Sequence, residues 1–411
     1  MKINLNNFKA PDLDLWRSKI KAETKASGEL HYTNDIEGIK FDPSEKKIEF
    51  DFGSQKNNEE NDWGITAYIP VRDEQSANTL ALKCLSQGAN ILYFEIASTS
   101  TDWNKVFNGI HIDYIDIIMA FEQETELKSL AEFIPKSAKQ HVSISVDPLR
   151  PIDTNFILQA GFKIIVNGFH LEQIGANGID QISTILHYAE SLIEKFDVDK
   201  ISFEIGIGSD FFIELSKVRA LKWLWQHILR KNDMTIPKTC ILGRMGWTNK
   251  SLKDPDTNIL RQTTEAISAI SGGVTSILIH SSHTYSIESD NWFYERLALN
   301  ISHILKEESY LSKVNDPMRG AYINEKMTLI LIQKCWTQFL KFNEIESKSL
   351  INDFLKKSIQ NTRTKKLTAF KEGTHELIGI NLFQNKIEQK NAWTKGPKYL
   401  DFNYLIFEKE G

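Results

Sequence analysis

The chain has 411 residues and an ordinary globular composition, with 41% hydrophobic residues, 25% charged residues and a formal net charge of −5. This balance gives no electrostatic reason to expect nucleic acid or an anionic membrane as a partner. No apolar run approaches the roughly 18 residues of a membrane span, and the first residues lack the apolar stretch of a signal peptide. Three scattered cysteines without CxxC spacing predict a reduced cytoplasmic protein with no cysteine zinc site.

The N-terminal part of the chain is polar and irregular. Its one regular feature is an amphipathic helical pattern at residues 13–20, which carries Trp16. Residues 54–62 read SQKNNEEND, a composition typical of a linker. A regular pattern begins at Trp63. We therefore predict an N-terminal arm and linker (1–61), a barrel domain (62–310) and a C-terminal extension (311–411).

Strand-like runs then alternate with helical patterns. The predicted strands are residues 65–71, 91–97, 115–121, 141–146, 163–169, 201–207, 239–242 and 276–280. The predicted helices are residues 75–85, 103–107, 126–137, 154–159, 179–196, 211–229, 259–270 and 292–306. About eight of each over roughly 245 residues predict an α/β protein with a (β/α)8 TIM barrel, and the nearly continuous apolar strands fit parallel pairing. A doubly wound open sheet is the competing fold. Two later helical patterns, at residues 327–342 and 349–361, are expected to pack outside the barrel.

The most informative segment is residues 200–225. A strand pattern at residues 201–207 is followed at once by a helical pattern, and GIGSD (206–210) lies between them. In α/β proteins, ligands and catalytic groups cluster at such strand-to-helix junctions. GIGSD fits neither GxGxxG nor GxxxxGK[ST], so it gives little support for nucleotide binding.

Polar residues at the predicted C-terminal ends of the strands are the candidates for chemistry, because active sites of such barrels lie there. They are Arg72, Asp73, Glu95, Glu122, Asp147, His170, Glu172, Gln173, Glu204, Ser209, Asp210, Arg244, His280, His283 and Tyr285. The three histidines could serve as acid, base or metal ligand. None of them forms an HxH or HExxH pattern, so hydrogen bonding to a loop is the simpler explanation.

Arg244 could clamp a carboxylate or a phosphate with two hydrogen bonds. A salt bridge to Asp73, Asp147 or Glu204 explains it equally well. The residues alone therefore predict a barrel with an unassigned mouth. An independent barrel enzyme, such as a lyase or hydrolase, would use the mouth residues His170, Gln173, Arg244, His280 and His283.

Five segments between residues 168 and 383 carry longer motifs. They read GFHLEQIGAN (168–177), FEIGIGSDFFIELSKVRALKWLW (203–225), DPDTNILRQTTEAISAISGGVTSI (254–277), VNDPMRGAYINEKMT (314–328) and EGTHELIGINLF (372–383). In this order they resemble motifs of the methylmalonyl-CoA mutase family, from its fifth-strand motif G-Y-H-x-x-E/Q-A-G-A to its G-V-N ending. The resemblance implies the same barrel fold.

The segments that the catalytic chain of that family uses for chemistry are not matched. Its T-Y-A-T-P-G-x-P loop has no equivalent in ENDWGITAYIP (60–70), and its substrate-gripping insertion near the fourth strand is missing. The family's H-x-Q-T-S-G-W is replaced by GRMGW (243–247), which has no histidine. Too few residues follow Phe383 for the family's cobalamin-binding flavodoxin-like domain, whose D-x-H-x-x-G histidine ligates cobalt, so we expect no such domain.

The resemblance therefore implies a non-catalytic small (beta) subunit of a heterodimeric, adenosylcobalamin-dependent mutase. It implies that this chain binds no cofactor or metal, that a large (alpha) catalytic subunit binds adenosylcobalamin, and that residues 1–61 pack against that partner. The supported reaction would be the isomerisation of (R)-methylmalonyl-CoA and succinyl-CoA in propionate metabolism. The alternatives are the small subunit of a related mutase, such as one acting on isobutyryl-CoA, and the independent barrel enzyme.

Overall fold

The strands form one closed barrel and one small hairpin in a computed structural model that describes residues 12–24, 32–42, 48, 50, 52, 61–97, 100–121, 124–284, 292–384 and 399–410. They are β1 (Tyr32–Asn34), β2 (Ile39–Phe41), β3 (Gly64–Val71), β4 (Ile91–Ile96), β5 (Asp116–Phe121), β6 (Val142–Val146), β7 (Lys163–Asn167), β8 (Ile201–Ile207), β9 (Ile241–Met245) and β10 (Ser276–Leu278). Strands β3 to β10 are parallel and close in chain order, with β10 paired to both β9 and β3. This confirms the predicted (β/α)8 TIM barrel and excludes the open sheet.

Helices follow each strand of the barrel. The helices are α1 (Leu13–Thr24), α2 (Glu74–Ser86), α3 (Trp103–Val106), α4 (Thr125–Phe133), α5 (Thr154–Ala160), α6 (Phe169–Gln173), α7 (Gly178–Glu190), α8 (Phe211–Lys231), α9 (Thr257–Gly272), α10 (Trp292–His303), α11 (Tyr322–Glu344), α12 (Lys348–Lys371) and α13 (Phe407–Glu410). Among the helices of the described ranges, none combines the length and the apolar character needed to cross a membrane.

Several predicted boundaries differ from the structure, among them the ends of helix 179–196, which stops at Glu190, and of strand 163–169, which stops at Asn167. Three further cases show what decides the end of an element. Strand β9 was predicted at residues 239–242, but Gly243 and Arg244 also pair with β8 and carry the strand to Met245. The predicted helix 126–137 ends at Phe133, because Ile134 precedes a proline and is extended. The last predicted helix, 349–361, continues to Lys371. Backbone pairing and tertiary packing decide these ends, whereas the residue pattern decides that the elements exist.

Side chains of each barrel strand alternate between two environments. On β8, Ile201, Phe203, Ile205 and Ile207 face the surrounding helices and belong to the large core between strands and helices. The intervening Glu204 points into the bore of the barrel, where it contacts side chains of β4 and β9. A smaller cluster lies in the bore. Its aliphatic members Ile118, Ile165, Leu242 and Leu278 form the floor, and the rings of Tyr68 and Tyr93 belong to the same cluster. Functional groups in this barrel must therefore come from the bore-facing positions.

The N-terminal arm contributes α1 and the β1–β2 hairpin. The described helix α1 includes the predicted helical pattern at residues 13–20. The hairpin is attached to the barrel where Asn34 donates a hydrogen bond to the carboxylate of Asp210 (3.0 Å). Most of the predicted linker at residues 54–62 lies outside the described residues. The division into residues 1–61, 62–310 and 311–411 stays a prediction.

The residues after the barrel contact it in several places, including its outer helices and its mouth. Helix α11 packs against α7 and α8 on the outside, where Arg219 donates a hydrogen bond to the hydroxyl of Thr328 (3.0 Å). Residues 399–407, which we call the C-terminal strap, lie at the C-terminal ends of the strands. There Leu405 donates its backbone N–H to the carbonyl of Gln173 (2.7 Å). The C-terminal part of the chain therefore also covers the barrel mouth.

The interface between β8 and α8 should account for a measurable part of the stability. Phe203 is fully buried, and its ring makes an edge contact with Trp225, with centroids 5.1 Å apart. We expect Phe203→Ala to lower the free energy of unfolding by about 3–5 kcal/mol, because it removes buried apolar area and leaves a cavity. Urea denaturation of the whole chain measures this.

The matched control for that prediction is Phe212→Ala, at a phenylalanine of the same β8–α8 unit that is 48% exposed. It should cost about 1 kcal/mol or less. Equal losses for the two variants would contradict the packing described here.

Candidate functional site

Polar and aromatic side chains fill the bore above its apolar floor. They come from several neighbouring strands. On each strand every second side chain faces the bore, because successive side chains point to opposite faces. The set comprises Tyr68 on β3, Tyr93 and Glu95 on β4, Ser145 on β6, Glu204 on β8, Arg244 on β9 and His280 directly after β10. All of them except Glu95 and Ser145 are buried. The mouth end of the bore is thus a packed polar layer.

Arg244 is the centre of this layer. Its side chain is 2% exposed, and its Nη1 lies 3.2 Å from Oε1 of Glu204, which is fully buried. Its Nη2 lies 3.9 Å from a carboxylate oxygen of Glu95. The guanidinium carbon lies 4.0 Å from the ring centroid of Phe169, 4.9 Å from that of Tyr93 and 5.2 Å from that of Tyr68. Of the two roles predicted for Arg244, the structure therefore shows the salt bridge to Glu204.

The partners of Arg244 are held by further hydrogen bonds. Tyr93 donates its hydroxyl to Oε2 of Glu204 (3.1 Å), and Tyr68 donates its hydroxyl to Glu95. Burial raises the pKa of Glu204, while the charge of Arg244 and the hydrogen bond from Tyr93 oppose that rise. Burial and the charge of Glu95 raise the pKa of Tyr68 well above its usual value. One buried cation, Arg244, thus faces two carboxylates, each of which also accepts a tyrosine hydroxyl.

His280 is neutral in this layer. The Nε of Arg244, which can only donate, lies 3.2 Å from Nε2 of His280, so that nitrogen accepts and carries no proton. Burial and the neighbouring charge of Arg244 lower the pKa of His280 well below its usual value. Its backbone N–H and carbonyl are both bonded to the amide of Gln262, at 2.9 and 2.8 Å. His280 therefore has no proton to give from Nε2 at neutral pH.

His170 lies under the C-terminal strap. Its Nδ1 is 2.5 Å from the hydroxyl of Tyr404, and its ring lies 5.5 Å from that of Tyr399. Tyr399 in turn donates its hydroxyl to Asp147 (2.5 Å). Burial, with the charges of Arg244 and Arg150, lowers the pKa of His170 to about 3. The simpler explanation given for this histidine, a hydrogen bond to a covering segment, matches the geometry.

Gln173 and His283 have local partners. Gln173 is fully buried, its side-chain oxygen accepts the backbone N–H of Trp247 (2.8 Å), and its amide donates to Glu172. His283 stacks on Tyr294 with ring centroids 3.9 Å apart, and its Nδ1 lies 3.0 Å from the hydroxyl of Ser282. The structure thus joins His280 and Arg244 directly, whereas His170, Gln173 and His283 make separate contacts.

Of the other candidates at the strand ends, two cap helices, two are exposed and two lie outside the residues that the structure describes. Asp73 accepts the backbone N–H of Ser76 (2.7 Å) and caps α2, and Asp210 accepts that of Ile213 (3.2 Å) and caps α8. Arg72 and Ser209 are exposed. Glu122 and Tyr285 lie outside the described residues.

Four tyrosines that the sequence analysis did not name are central to the mouth. Tyr68 and Tyr93 could have been found, because Tyr93 lies two residues before Glu95 and therefore faces the same side of β4. Tyr399 and Tyr404 carry no such signal, because they belong to no strand of the barrel. In the described part of the chain, no three His, Cys, Asp or Glu side chains are placed to hold a metal ion.

The fold and the mouth together define a (β/α)8 barrel whose bore is closed by its own side chains and by its C-terminal strap. The sequence profile of the methylmalonyl-CoA mutase family matches residues 159–398, more than half of the chain. The chain therefore belongs to the methylmalonyl-CoA mutase family.

Relatives of known name agree with this family. The methylmalonyl-CoA mutase small subunit of Porphyromonas gingivalis is 26% identical over 80% of this chain and 60% of its own length. The mitochondrial methylmalonyl-CoA mutase of Homo sapiens is 28% identical over 56% of this chain and 32% of its own length. The chain thus spans less than two thirds of the length of the first relative and about one third of the second. A Yersinia pestis dihydropteroate synthase structure aligns with a TM-score of 0.38 and 12% identity over 68% of this chain and all of that one, which is too low to support any conclusion.

Breaking the buried pair between Arg244 and Glu204 should be costly. We expect Arg244→Met to lower the free energy of unfolding by about 3–5 kcal/mol, because the carboxylate of Glu204 is left buried without its cation. The double variant Arg244→Met/Glu204→Gln should recover part of that loss. A double-mutant cycle by urea denaturation measures the coupling, and simple additivity of the two single losses would contradict it.

Stability should fall on acidification partly through His170. Its folded pKa of about 3 lies below the ordinary value, so between these two values the unfolded chain binds the extra proton. The contribution of the neutral His170 to the free energy of unfolding is fully present above about pH 6.5. Below that pH it falls by up to about 1.4 kcal/mol per pH unit. His170→Gln should therefore lose less stability than the wild type between pH 7 and pH 5. Parallel slopes for the two proteins would contradict this.

Proposed function

We propose that this chain is the non-catalytic small (beta) subunit of an adenosylcobalamin-dependent methylmalonyl-CoA mutase. In this proposal it supports a large catalytic subunit that interconverts (R)-methylmalonyl-CoA and succinyl-CoA. Family membership and the Porphyromonas gingivalis small subunit support the subunit assignment. The reaction, the substrate and the partner are part of the proposal.

The packed bore is the observation that carries the non-catalytic role. A barrel enzyme needs an open cavity at the C-terminal ends of its strands, into which several strands present reactive groups. Here Tyr93, Phe169 and Arg244 occupy that space and are each no more than 2% exposed. The strap then lies over His170. These side chains serve the barrel as its upper core and leave little room for an acyl-CoA.

The same geometry argues against adenosylcobalamin on this chain. Such a group needs an open face at the barrel mouth. The family's cobalt-ligating histidine lies on its flavodoxin-like domain, and a barrel histidine could take that place only if its ring nitrogens were free. The ring nitrogens of His170 and His280 that face the layer are already engaged by Tyr404 and Arg244. The residues at this mouth do not fit the cofactor, and we propose that it is bound by the partner subunit.

The N-terminal arm is the part of the chain that we propose contacts the partner. Helix α1 carries Leu15 and Trp16, which are 60% and 38% exposed although they are large apolar side chains. The burial of such residues against a second subunit is favourable, and obligate interfaces of this kind bury more than about 2,000 Å².

The free cysteines Cys84, Cys240 and Cys335 are consistent with the cytoplasmic location that we propose.

Co-expression with a large mutase subunit tests the proposal. We expect the two chains to elute as one complex, with isomerase activity only when the large subunit is present. His280→Ala and His283→Ala in this chain should leave kcat/KM of the complex at the wild-type value. Assays with methylmalonyl-CoA and isobutyryl-CoA then decide which mutase it is.

Two results would overturn the proposal. Separate elution of the chains, with full activity of the large subunit alone, would remove the partner role. Activity of the isolated chain that is lost on His280→Ala would instead establish an independent barrel enzyme.

A further inference from the structure

A cavity lies beside the barrel mouth and outside the bore. Its volume is about 190 Å³, well above the roughly 10–15 Å³ that a single water molecule needs. Its lining includes residues from three distant parts of the chain: the arm with Glu37, the β8–α8 junction with Asp210 and Glu214, and helix α12 with Lys366 and Ala369. A ligand here would touch all three parts at once.

Carboxylates outnumber cations in the wall of this cavity. The carboxylates are Glu37, Glu172, Asp210 and Glu214, and the ammonium groups are Lys217 and Lys366. Lys217 is already committed, because its Nζ lies 2.5 Å from Glu214 and donates to the carbonyl of Gly206 (2.7 Å). Lys366 donates to the carbonyl of Ala176 (3.0 Å). The surplus of negative groups disfavours an anion and favours a cation.

Glu37 supplies an independent sign of a missing partner. It is 6% exposed, and its Oε1 accepts the backbone N–H of Gly178 (2.8 Å). Its Oε2 is buried and has no hydrogen-bond donor among the residues that the structure describes. Leaving a buried acceptor without a donor costs about 1–3 kcal/mol, and more for a charged group. Burial raises the pKa of Glu37, as expected for a carboxyl group in such a position.

The remaining wall is partly apolar and partly polar, with Asn34, Gln181 and Asn249 among its polar residues. Ile36 of the arm, Ile213 of α8, Ala369 of α12 and Phe407 of the strap line the same cavity. A bare metal ion would gain nothing from these side chains, and the described residues offer no cluster of three metal ligands. The cavity therefore matches a molecule with a small positive head and a short apolar body.

We propose that this cavity binds a small organic cation, a primary ammonium on a short aliphatic chain, whose N–H groups donate to Oε2 of Glu37. The aliphatic part lies along Ile213, Ala369 and Phe407. Binding ties the arm to the barrel and to α12, so it stabilises the folded chain by mass action. This role is separate from the proposed mutase function and does not depend on it.

Calorimetric titration of the whole chain with n-butylammonium tests the proposal. We expect saturable binding with a Kd of about 1 mM or tighter, accompanied by a higher melting temperature. Glu37→Gln keeps the shape of the side chain and removes its charge, so it should weaken binding by about 10- to 100-fold. Glu376→Gln, at an exposed glutamate that does not line the cavity, should bind as the wild type does.

A second variant and a second probe make the test decisive. Ala369→Leu fills the cavity without touching Glu37 and should abolish binding even if Glu37→Gln folds poorly. The uncharged probe n-butanol has the same body and should bind at least about tenfold more weakly than the ammonium. Absence of saturable binding, equal affinity for both probes, or unchanged affinity in Ala369→Leu would each overturn the proposal.

Discussion

The buried guanidinium of Arg244 is the constraint on which the interior of this barrel depends. A cation taken out of water needs a counter-charge and polarisable neighbours. Without them, an arginine that points into the bore would destabilise the fold. Glu204 supplies the charge at 3.2 Å, and three aromatic rings surround the guanidinium. These partners come from different strands, so satisfying one arginine brings β3, β4, β8 and β9 together around a filled space.

That arrangement supports the structural role that we propose for the histidines at the mouth. A histidine that accepts a hydrogen bond from an arginine is held neutral, and a histidine under a tyrosine of the strap is shielded from solvent. Both effects push the imidazole pKa downward, away from the range in which histidine exchanges protons at neutral pH. Both histidines are therefore neutral at neutral pH, which fits the non-catalytic role that we propose.

The β8–α8 unit has a double character. Its outward residues build the core through Phe203 and Trp225, and Asp210 caps the helix that follows. Its junction also forms one wall of the cavity that the arm and α12 complete. The motif that identifies the family thus serves the scaffold, while the empty space beside it arises only where distant segments meet.

The sequence by itself determined the elements, the barrel and the family. Strand and helix periods, and motifs such as GFHLEQIGAN, can be read directly from consecutive residues. It also brought out Arg244 and His280 as mouth residues, since strand ends can be counted along the chain. It left undecided what those residues touch. His170 meets Tyr404 across 234 positions, and Gly178 meets Glu37 across 141. Only tertiary structure decided that the mouth is closed and where the cavity lies, because contacts between segments so far apart depend on how the whole chain packs and not on any local pattern.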